Sequence, residues 1–181
     1  MSEVYEKVPT AMQRVEREKK VLDFWRREHI FEKSIEERRG HPTYTFYDGP
    51  PTANGKPHIG HVLTRVIKDM IPRYRTMKGY MVPRKAGWDT HGLPVEIEVE
   101  KKLGLDGKEQ IEQYGLEPFI RECKESVWKY KGMWEDFSGT VGFWADMEHP
   151  YVTYDNNFIE SEWWALREIW DRGLLYRGYK I

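Results

Sequence analysis

A loop rich in glycine and proline, set between a short strand and a long helix, most constrains the fold of this chain. Residues 43–47 are β-branched and aromatic and predict a strand. Residues 48–57 contain two glycines and three prolines, which favours a loop. Apolar residues at every fourth position predict a helix over 58–79, and 80–86 predict a second strand. This βαβ order predicts an α/β fold with a parallel sheet.

Helical spacing predicts most of the remaining elements. Residues 11–38 predict a charged amphipathic helix and a shorter one, so we expect residues 1–40 to form an amino-terminal helical arm. Further helices are predicted over 94–103, 109–114, 117–141 and 156–172. Leu174–Tyr176 is expected to begin another strand.

Composition narrows the function classes. Eight Trp, eleven Tyr and seven Phe suffice for a folded core, and a net charge of -1 excludes nucleic-acid binding by bulk charge. The single cysteine, Cys123, excludes an intrachain disulfide framework, and its place on the apolar stripe of 117–141 predicts a small core residue. Because no long apolar run or signal peptide is present, we expect a cytoplasmic protein with no membrane partner.

Two histidines three residues apart mark the predicted start of the helix after the loop. His58 and His61 fall on one helix face, where unpaired backbone N–H groups and the helix dipole attract anions. Gly60 lets a flat group such as a purine approach the backbone. The pattern favours charge stabilisation on a phosphate. Capping or surface histidines are the alternative, whereas a zinc site would need His-Glu-x-x-His.

The loop and helix start carry a resemblance to a known family. The run from Pro50 to His61 resembles the His-Ile-Gly-His signature of class I aminoacyl-tRNA synthetases. Gly87-Trp88-Asp89-Thr90-His91-Gly92-Leu93-Pro94 is similar to the second signature of the isoleucyl enzymes, where valyl enzymes usually read Gly-Thr-Asp-His-Ala-Gly. The resemblance implies a Rossmann-type parallel sheet. Residues 41–181 would be the first half of the catalytic domain, truncated before the editing insertion.

The resemblance also implies an ATP site. His58 and His61 would be catalytic and contact the phosphates, while Gly60 would lie under the adenine. Asn54 and Gly55 would shape the loop beside them. ATP would arrive with Mg²⁺ as a substrate.

An amino-acid site is implied beside it. The backbone of Gly49 and Pro50 would line the pocket, and Asp89 would pair with the α-amino group of the substrate. Trp88 and His91 would support the pocket. An aspartate in such a turn can instead cap its own backbone, but an ammonium in a partly dry pocket needs a carboxylate partner.

The implied reaction is attack by the isoleucine carboxylate on the α-phosphorus of ATP, followed by transfer to tRNA(Ile). The family's Lys-Met-Ser-Lys-Ser loop and its Cys-x-x-Cys zinc pair do not occur in this chain, so zinc has no ligands here. We therefore expect a missing carboxy-terminal part of the same enzyme as partner. The 181-residue chain alone is expected to be inactive or very weak.

Other interpretations stay open. A stretch of seven cations against one anion between residues 65 and 85 is consistent with a tRNA-facing basic surface or with a solvated helix face. The chain is also compatible with a non-catalytic binding module derived from a synthetase. A nucleotidyltransferase acting on a small substrate would explain the histidines but not the second signature.

Overall fold

Three parallel strands form the sheet of this protein. The structure, a computed structural model, describes residue 11 and residues 13–52 and 55–179. Strand β1 (Phe46–Tyr47) pairs with β2 (Arg84–Trp88), and β2 pairs with β3 (Asp146–Val152), giving the order β1-β2-β3. This arrangement confirms the predicted α/β fold with a parallel sheet.

The helices lie before, between and after the strands. The first helices of the described residues are α1 (Arg14–Arg27) and α2 (Ile30–Glu36), and α3 (Ile59–Met77) joins β1 to β2. Between β2 and β3 lie α4 (Leu93–Leu103), α5 (Lys108–Tyr114), α6 (Leu116–Ser126) and α7 (Lys131–Thr140). The last helix, α8 (Asn156–Asp171), follows β3.

Strand register brings three segments to one edge of the sheet. Phe46 lies opposite Arg84, and Trp88 lies opposite Val152, with an irregularity in the β2–β3 ladder before Gly87. Because parallel strands share a direction, the segments that follow β1, β2 and β3 emerge together at their carboxyl ends. Ligands of open α/β sheets bind at this edge.

Two predictions of elements are wrong. The helix expected over 117–141 is divided into α6, a 3-10 turn (Val127–Tyr130) and α7. At the division the Ser126 hydroxyl donates to the carbonyl of Cys123 at 2.9 Å, a bond that competes with the helical ladder. The strand expected at 174–176 is irregular chain, and the third strand is β3.

The core lies between the sheet and the helices that follow β2. Trp88, Val95, Val127, Trp134 and Val152 form its buried cluster. Cys123 packs against that cluster, and burial raises the pKa of its thiol, as expected for a structural cysteine.

Helix α3 presents an unexpected face to the protein. Three of the four apolar residues that predicted the helix, Val66, Met70 and Tyr74, are half exposed or more. Its buried positions are instead Arg65, Asp69, Pro72 and Thr76. The helix is therefore held to the sheet largely by charged and polar groups.

The amino-terminal helices meet the rest of the chain at Trp144. Its ring lies 5.0 Å from the Trp25 ring and 5.9 Å from the Phe31 ring, between centroids, and the Arg73 guanidinium lies 4.0 Å from its centroid. Residues 1–10 of the expected arm lie outside the described residues. In the part of the chain that the structure describes, no helix is long and apolar enough to cross a bilayer.

Candidate active site

The two histidines at the start of α3 cap the helix reciprocally. The backbone N–H of Gly60 donates to Nδ1 of His58 at 3.1 Å. The backbone N–H of His58 donates to Nδ1 of His61 at 3.0 Å. Each ring therefore satisfies one of the backbone donors that a helix start leaves without an intrahelical partner.

This cap fixes the tautomer of both rings. A nitrogen that accepts a backbone N–H carries no proton, so Nδ1 is unprotonated in His58 and in His61. The proton of each neutral imidazole then sits on Nε2. In this arrangement each ring presents an Nε2–H donor that the cap does not use.

The surroundings of His61 favour its neutral form. The centroids of the His58 and His61 rings are 3.7 Å apart and their planes meet at 32°. Burial, followed by repulsion from His58 and Arg65, lowers the pKa of His61 below its ordinary value. A close pair of imidazoles at the positive end of a helix, each with an Nε2 that the cap does not use, is suited to binding an anion.

Gly60 and Gly55 occupy different environments around this pair. A Cβ on Gly60 would lie 3.0 Å from Cε1 of His58, so a side chain there would press on the first ring. A Cβ on Gly55 would meet nothing within 4 Å, but the Gly55 carbonyl accepts a hydrogen bond from the Trp134 indole at 2.9 Å. Asn54, the other predicted loop residue, lies outside the described residues.

Asp48 anchors the other end of the loop. Its carboxylate is 1% exposed and pairs with Arg65 and, at 2.9 Å, with Lys68, both on α3. Lys68 also donates to the carbonyl of Gly49 at 2.7 Å. The strand end and the second and third turns of α3 are therefore held together beneath the predicted pocket residues.

Tyr151 on strand β3 also contacts the segment at Asp48. The Tyr151 hydroxyl donates to the carbonyl of Asp48, and its ring covers Gly87 so closely that a Cβ there would overlap it. Burial raises the pKa of Tyr151 above its ordinary value, with a smaller contribution from the Asp48 charge. The Tyr151 phenol is thus a neutral donor to the loop.

A cavity of about 280 Å³ opens between the loop and α3. Gly49 and Pro50 line it on the loop side, and His61, Lys68 and Trp134 line it on the helix side. The structure thereby brings two predicted amino-acid-site residues and one predicted ATP-site residue to a single cavity.

Asp89 is tied to the same loop. Its backbone N–H donates to the carbonyl of Pro51 at 3.1 Å, and the Thr52 hydroxyl donates to its carboxylate at 3.3 Å. The side chain is half buried and follows β2 directly. The second signature therefore meets the first one at the sheet edge.

Trp88 and His91 lie elsewhere. Trp88 is 1% exposed in the core, and its indole Nε1 has no hydrogen-bond partner among the described residues. His91 shares a 2.8 Å hydrogen bond between its Nδ1 and the Thr153 hydroxyl, and lines a second cavity of about 620 Å³ between α4 and α6. These two residues flank the loop cavity and do not line it.

The cation-rich stretch is mostly paired. Arg65 and Lys68 meet Asp48, and Arg73 and Arg84 both meet Asp69. Burial lowers the pKa of Arg84 to about 10. A basic surface made of all seven cations is therefore excluded, because at least these four neutralise buried carboxylates.

Sequence reasoning missed Asp48, Tyr151 and Trp134 as site residues. Asp48 carried a signal, because a carboxylate directly after a strand stands at the ligand-binding edge. Trp134 carried none, since its spacing on the apolar stripe is that of any core residue. Tyr151 lies in the strand that the sequence did not predict.

Comparison with known proteins identifies the family. The family model described as tRNA synthetases class I (I, L, M and V) matches residues 20–181. This chain belongs to that family. It is 61% identical over 178 residues to isoleucine–tRNA ligase of Clostridium kluyveri, and 60% identical over 178 residues to that of Clostridium tetani. Each alignment covers 98% of this chain and 17% of the relative.

More distant relatives agree. Isoleucine–tRNA ligase of Thermus thermophilus is 57% identical over 164 residues, covering 91% of this chain and 16% of that protein. The LeuRS–tRNA–LeuAMS ternary complex from Agrobacterium radiobacter K84 superimposes with a TM-score of 0.59 at 20% identity, over 90% of this chain and 18% of that one. This class I synthetase therefore shares its fold with LeuRS, and the chain spans about one sixth of its curated relatives.

Proposed function

We propose that this chain supplies the His-Ile-Gly-His half of the active site of an isoleucine–tRNA ligase. Its relatives at 57–61% identity bear that name. The observation that carries the proposal is the reciprocal histidine cap, which engages Nδ1 of both rings and leaves their Nε2 groups free of the cap at the start of α3. Isoleucine, ATP and tRNA(Ile) are the proposed substrates of the complete enzyme.

The proposed ATP site is the start of α3. His58 and His61 donate to the phosphates, and the bare backbone at Gly60 faces the adenine. Gly55 and Asn54 would shape the loop beside them. Neutral donors suit this task, because they stabilise developing charge on phosphate oxygens without a proton-transfer step.

The proposed amino-acid site is the loop cavity together with Asp89. The Asp89 carboxylate pairs with the ammonium group of the substrate isoleucine. The backbone of Gly49 and Pro50 lines the pocket for that amino acid. The bond from Thr52 holds that carboxylate toward the loop. Trp88 supports the pocket from within the core, and His91 from its flank.

The proposed chemistry needs no general base. The isoleucine carboxylate is already ionised at neutral pH, so it attacks the α-phosphorus directly and pyrophosphate leaves. The protein contributes position and charge stabilisation. The aminoacyl group then passes to the 3′-terminal ribose of tRNA.

Metals enter this scheme only with the substrate. Mg²⁺ would be bound by the phosphates of ATP and enter the site with it. Across the described residues, no three His, Cys, Asp or Glu side chains come together in a metal-binding group.

Isoleucine-dependent exchange of labelled pyrophosphate into ATP tests the proposal, with valine and leucine as control substrates. We expect little or no exchange from the 181-residue chain, and measurable binding of a non-hydrolysable isoleucyl-adenylate analogue. Asp89→Asn and His61→Ala should each weaken that binding by about tenfold, as expected for loss of a charge-assisted or phosphate contact.

The outcomes separate three functions. Binding that depends on Asp89 supports a synthetase half-site. Strong exchange abolished by His61→Ala would show that this half alone activates isoleucine. A folded chain that binds no analogue would reduce it to a binding module of other specificity, and adenylyl transfer to a small non-amino-acid substrate would indicate a nucleotidyltransferase.

A further inference from the structure

Trp134 contacts both Gly55 of the loop and His61 of α3, although it lies about 75 residues away from them in the sequence. It stands on α7 and is 2% exposed. Its indole Nε1 donates to the carbonyl of Gly55 at 2.9 Å. This bond attaches the described end of the glycine- and proline-rich loop to a buried side chain of α7.

The same ring meets the second histidine. The centroids of Trp134 and His61 are 4.7 Å apart and their planes meet at 64°, an edge-to-face contact. The His61 ring also lies 3.7 Å from the His58 ring, between centroids. His61 therefore contacts both its capping partner and a buried indole.

A purely structural role in the core is the simplest explanation for Trp134. As a core residue it fills space beside Phe137, at 5.9 Å between centroids. Space filling alone does not require the bond to Gly55 or the contact with His61, because neither partner belongs to the buried core cluster. Both contacts act on groups that the proposed function places against ATP.

We propose that Trp134 is a positioning residue of the ATP site, which fixes the loop through Gly55 and the orientation of the His61 ring. It acts through these two groups. The expected effect on ligand affinity rests on the proposed function, because a misplaced His61 donor weakens affinity only if His61 contacts a phosphate. The positioning itself is a property of the unliganded chain.

Trp134→Phe tests the inference, with Trp128→Phe as a matched control. Trp128 also packs against the core cluster and also donates its indole N–H, in this case to the Tyr154 hydroxyl at 2.9 Å. Both variants lose one indole hydrogen bond and some buried surface. Only Trp134→Phe loses the bond to the loop.

Three measurements on each variant distinguish the roles: urea unfolding, nitrogen shifts of the His61 imidazole by NMR, and affinity for the non-hydrolysable isoleucyl-adenylate analogue. We expect similar losses of stability in the two variants. Only Trp134→Phe should change the His61 signals and weaken analogue binding, by about five- to tenfold. Equal effects of both variants on His61 and on affinity would overturn the inference.

A second replacement covers the case in which Trp134→Phe does not fold. Site-specific benzothienylalanine at position 134 keeps the shape of the ring and removes only the N–H. It should leave stability nearly intact and still weaken analogue binding, and parent-like affinity would contradict the role of the Gly55 bond. If the parent chain binds no analogue, the proposed function fails, while the His61 signals still test the positioning.

Discussion

His58 and His61 combine two roles that are usually carried by different residues. As caps they accept backbone N–H groups through Nδ1, and as proposed ligands they donate through Nε2. A substitution that keeps an acceptor near the Nδ1 position, and removes the Nε2 donor, separates the roles.

His58→Asn and His58→Ala make that separation. Asparagine is among the preferred helix caps, so His58→Asn should keep the free energy of unfolding within about 0.5 kcal/mol of the parent, whereas His58→Ala should lose about 1 kcal/mol. Both variants should lose analogue affinity, because neither has the outward donor. Urea unfolding and titration calorimetry check the pair, and parent-like affinity in His58→Asn would contradict the assignment of the donor.

The lowered pKa of His61 makes stability depend on pH. Because the folded pKa lies below the ordinary value of 6.5, the unfolded chain binds more protons between the two values. The contribution of His61 is therefore complete above pH 6.5 and is lost as the pH falls through the folded pKa. NMR titration should place its midpoint below 6.5, and His61→Asn should flatten this part of the profile of unfolding free energy against pH.

At the scale of elements, α3 is attached to the sheet by ion pairs. Arg84 on β2 is 2% exposed and meets Asp69 at 2.8 Å, and Arg73 meets the other oxygen of the same carboxylate. Asp69 thus compensates a guanidinium that has little access to water.

Asp69→Asn should therefore cost about 3–5 kcal/mol in the free energy of unfolding, the usual effect of leaving a buried charge without its partner. Asp146→Asn is the control, since Asp146 pairs with His149 at side-chain exposures of 42% and 76%. That change should cost less than about 1 kcal/mol. Equal losses in urea unfolding would show that the Arg84 pair does not hold α3.

Local pattern predicted the elements well where one signal dominated. The glycines and prolines of residues 48–57 correctly indicated a break between β1 and α3. Helix α4 ends at Leu103 as expected, because Gly104 adopts a left-handed conformation with φ 68°. Strand β3 was missed because it contains charged residues and Pro150, and its pairing with β2 supplies what propensity does not. Which face of α3 is buried also could not be predicted, since ion pairs rather than apolar residues decide it.

Some residues of the candidate site were also predictable from the sequence, and others were not. The histidines were indicated by their place at a predicted helix start, and Asp89 by the resemblance of its segment to the second family signature. The supports at Tyr151 and Trp134 come from segments that only the tertiary structure brings near. Sequence therefore indicated the chemistry of the site but not the residues that hold it in place.

The whole molecule exposes much apolar surface. On α8, Trp163 and Trp170 are 68% and 66% exposed and share a face with Leu166. On α3, Ile59 and Met77 are 83% and 76% exposed. Contiguous apolar surface of this kind is uncommon on soluble monomers.

We expect the isolated 181-residue chain to self-associate as its concentration rises, measured by sedimentation velocity. Changing Trp163 and Trp170 together to Gln should reduce the association. Val15→Gln with Val21→Gln is the control, because these exposed valines stand among charges on α1. A chain that stays monomeric at all concentrations would contradict the expectation.

The reciprocal cap also decides which kinds of ligand the protein admits. An electron-poor metal ion needs a lone pair, and the lone pairs on Nδ1 of both rings already hold backbone hydrogens. Coordination through Nε2 would move the proton to Nδ1 and set it against an amide hydrogen, so chelation would require the first turn of α3 to open. Two histidines that look like half of a chelate are, in the folded chain, selective for electron-rich partners.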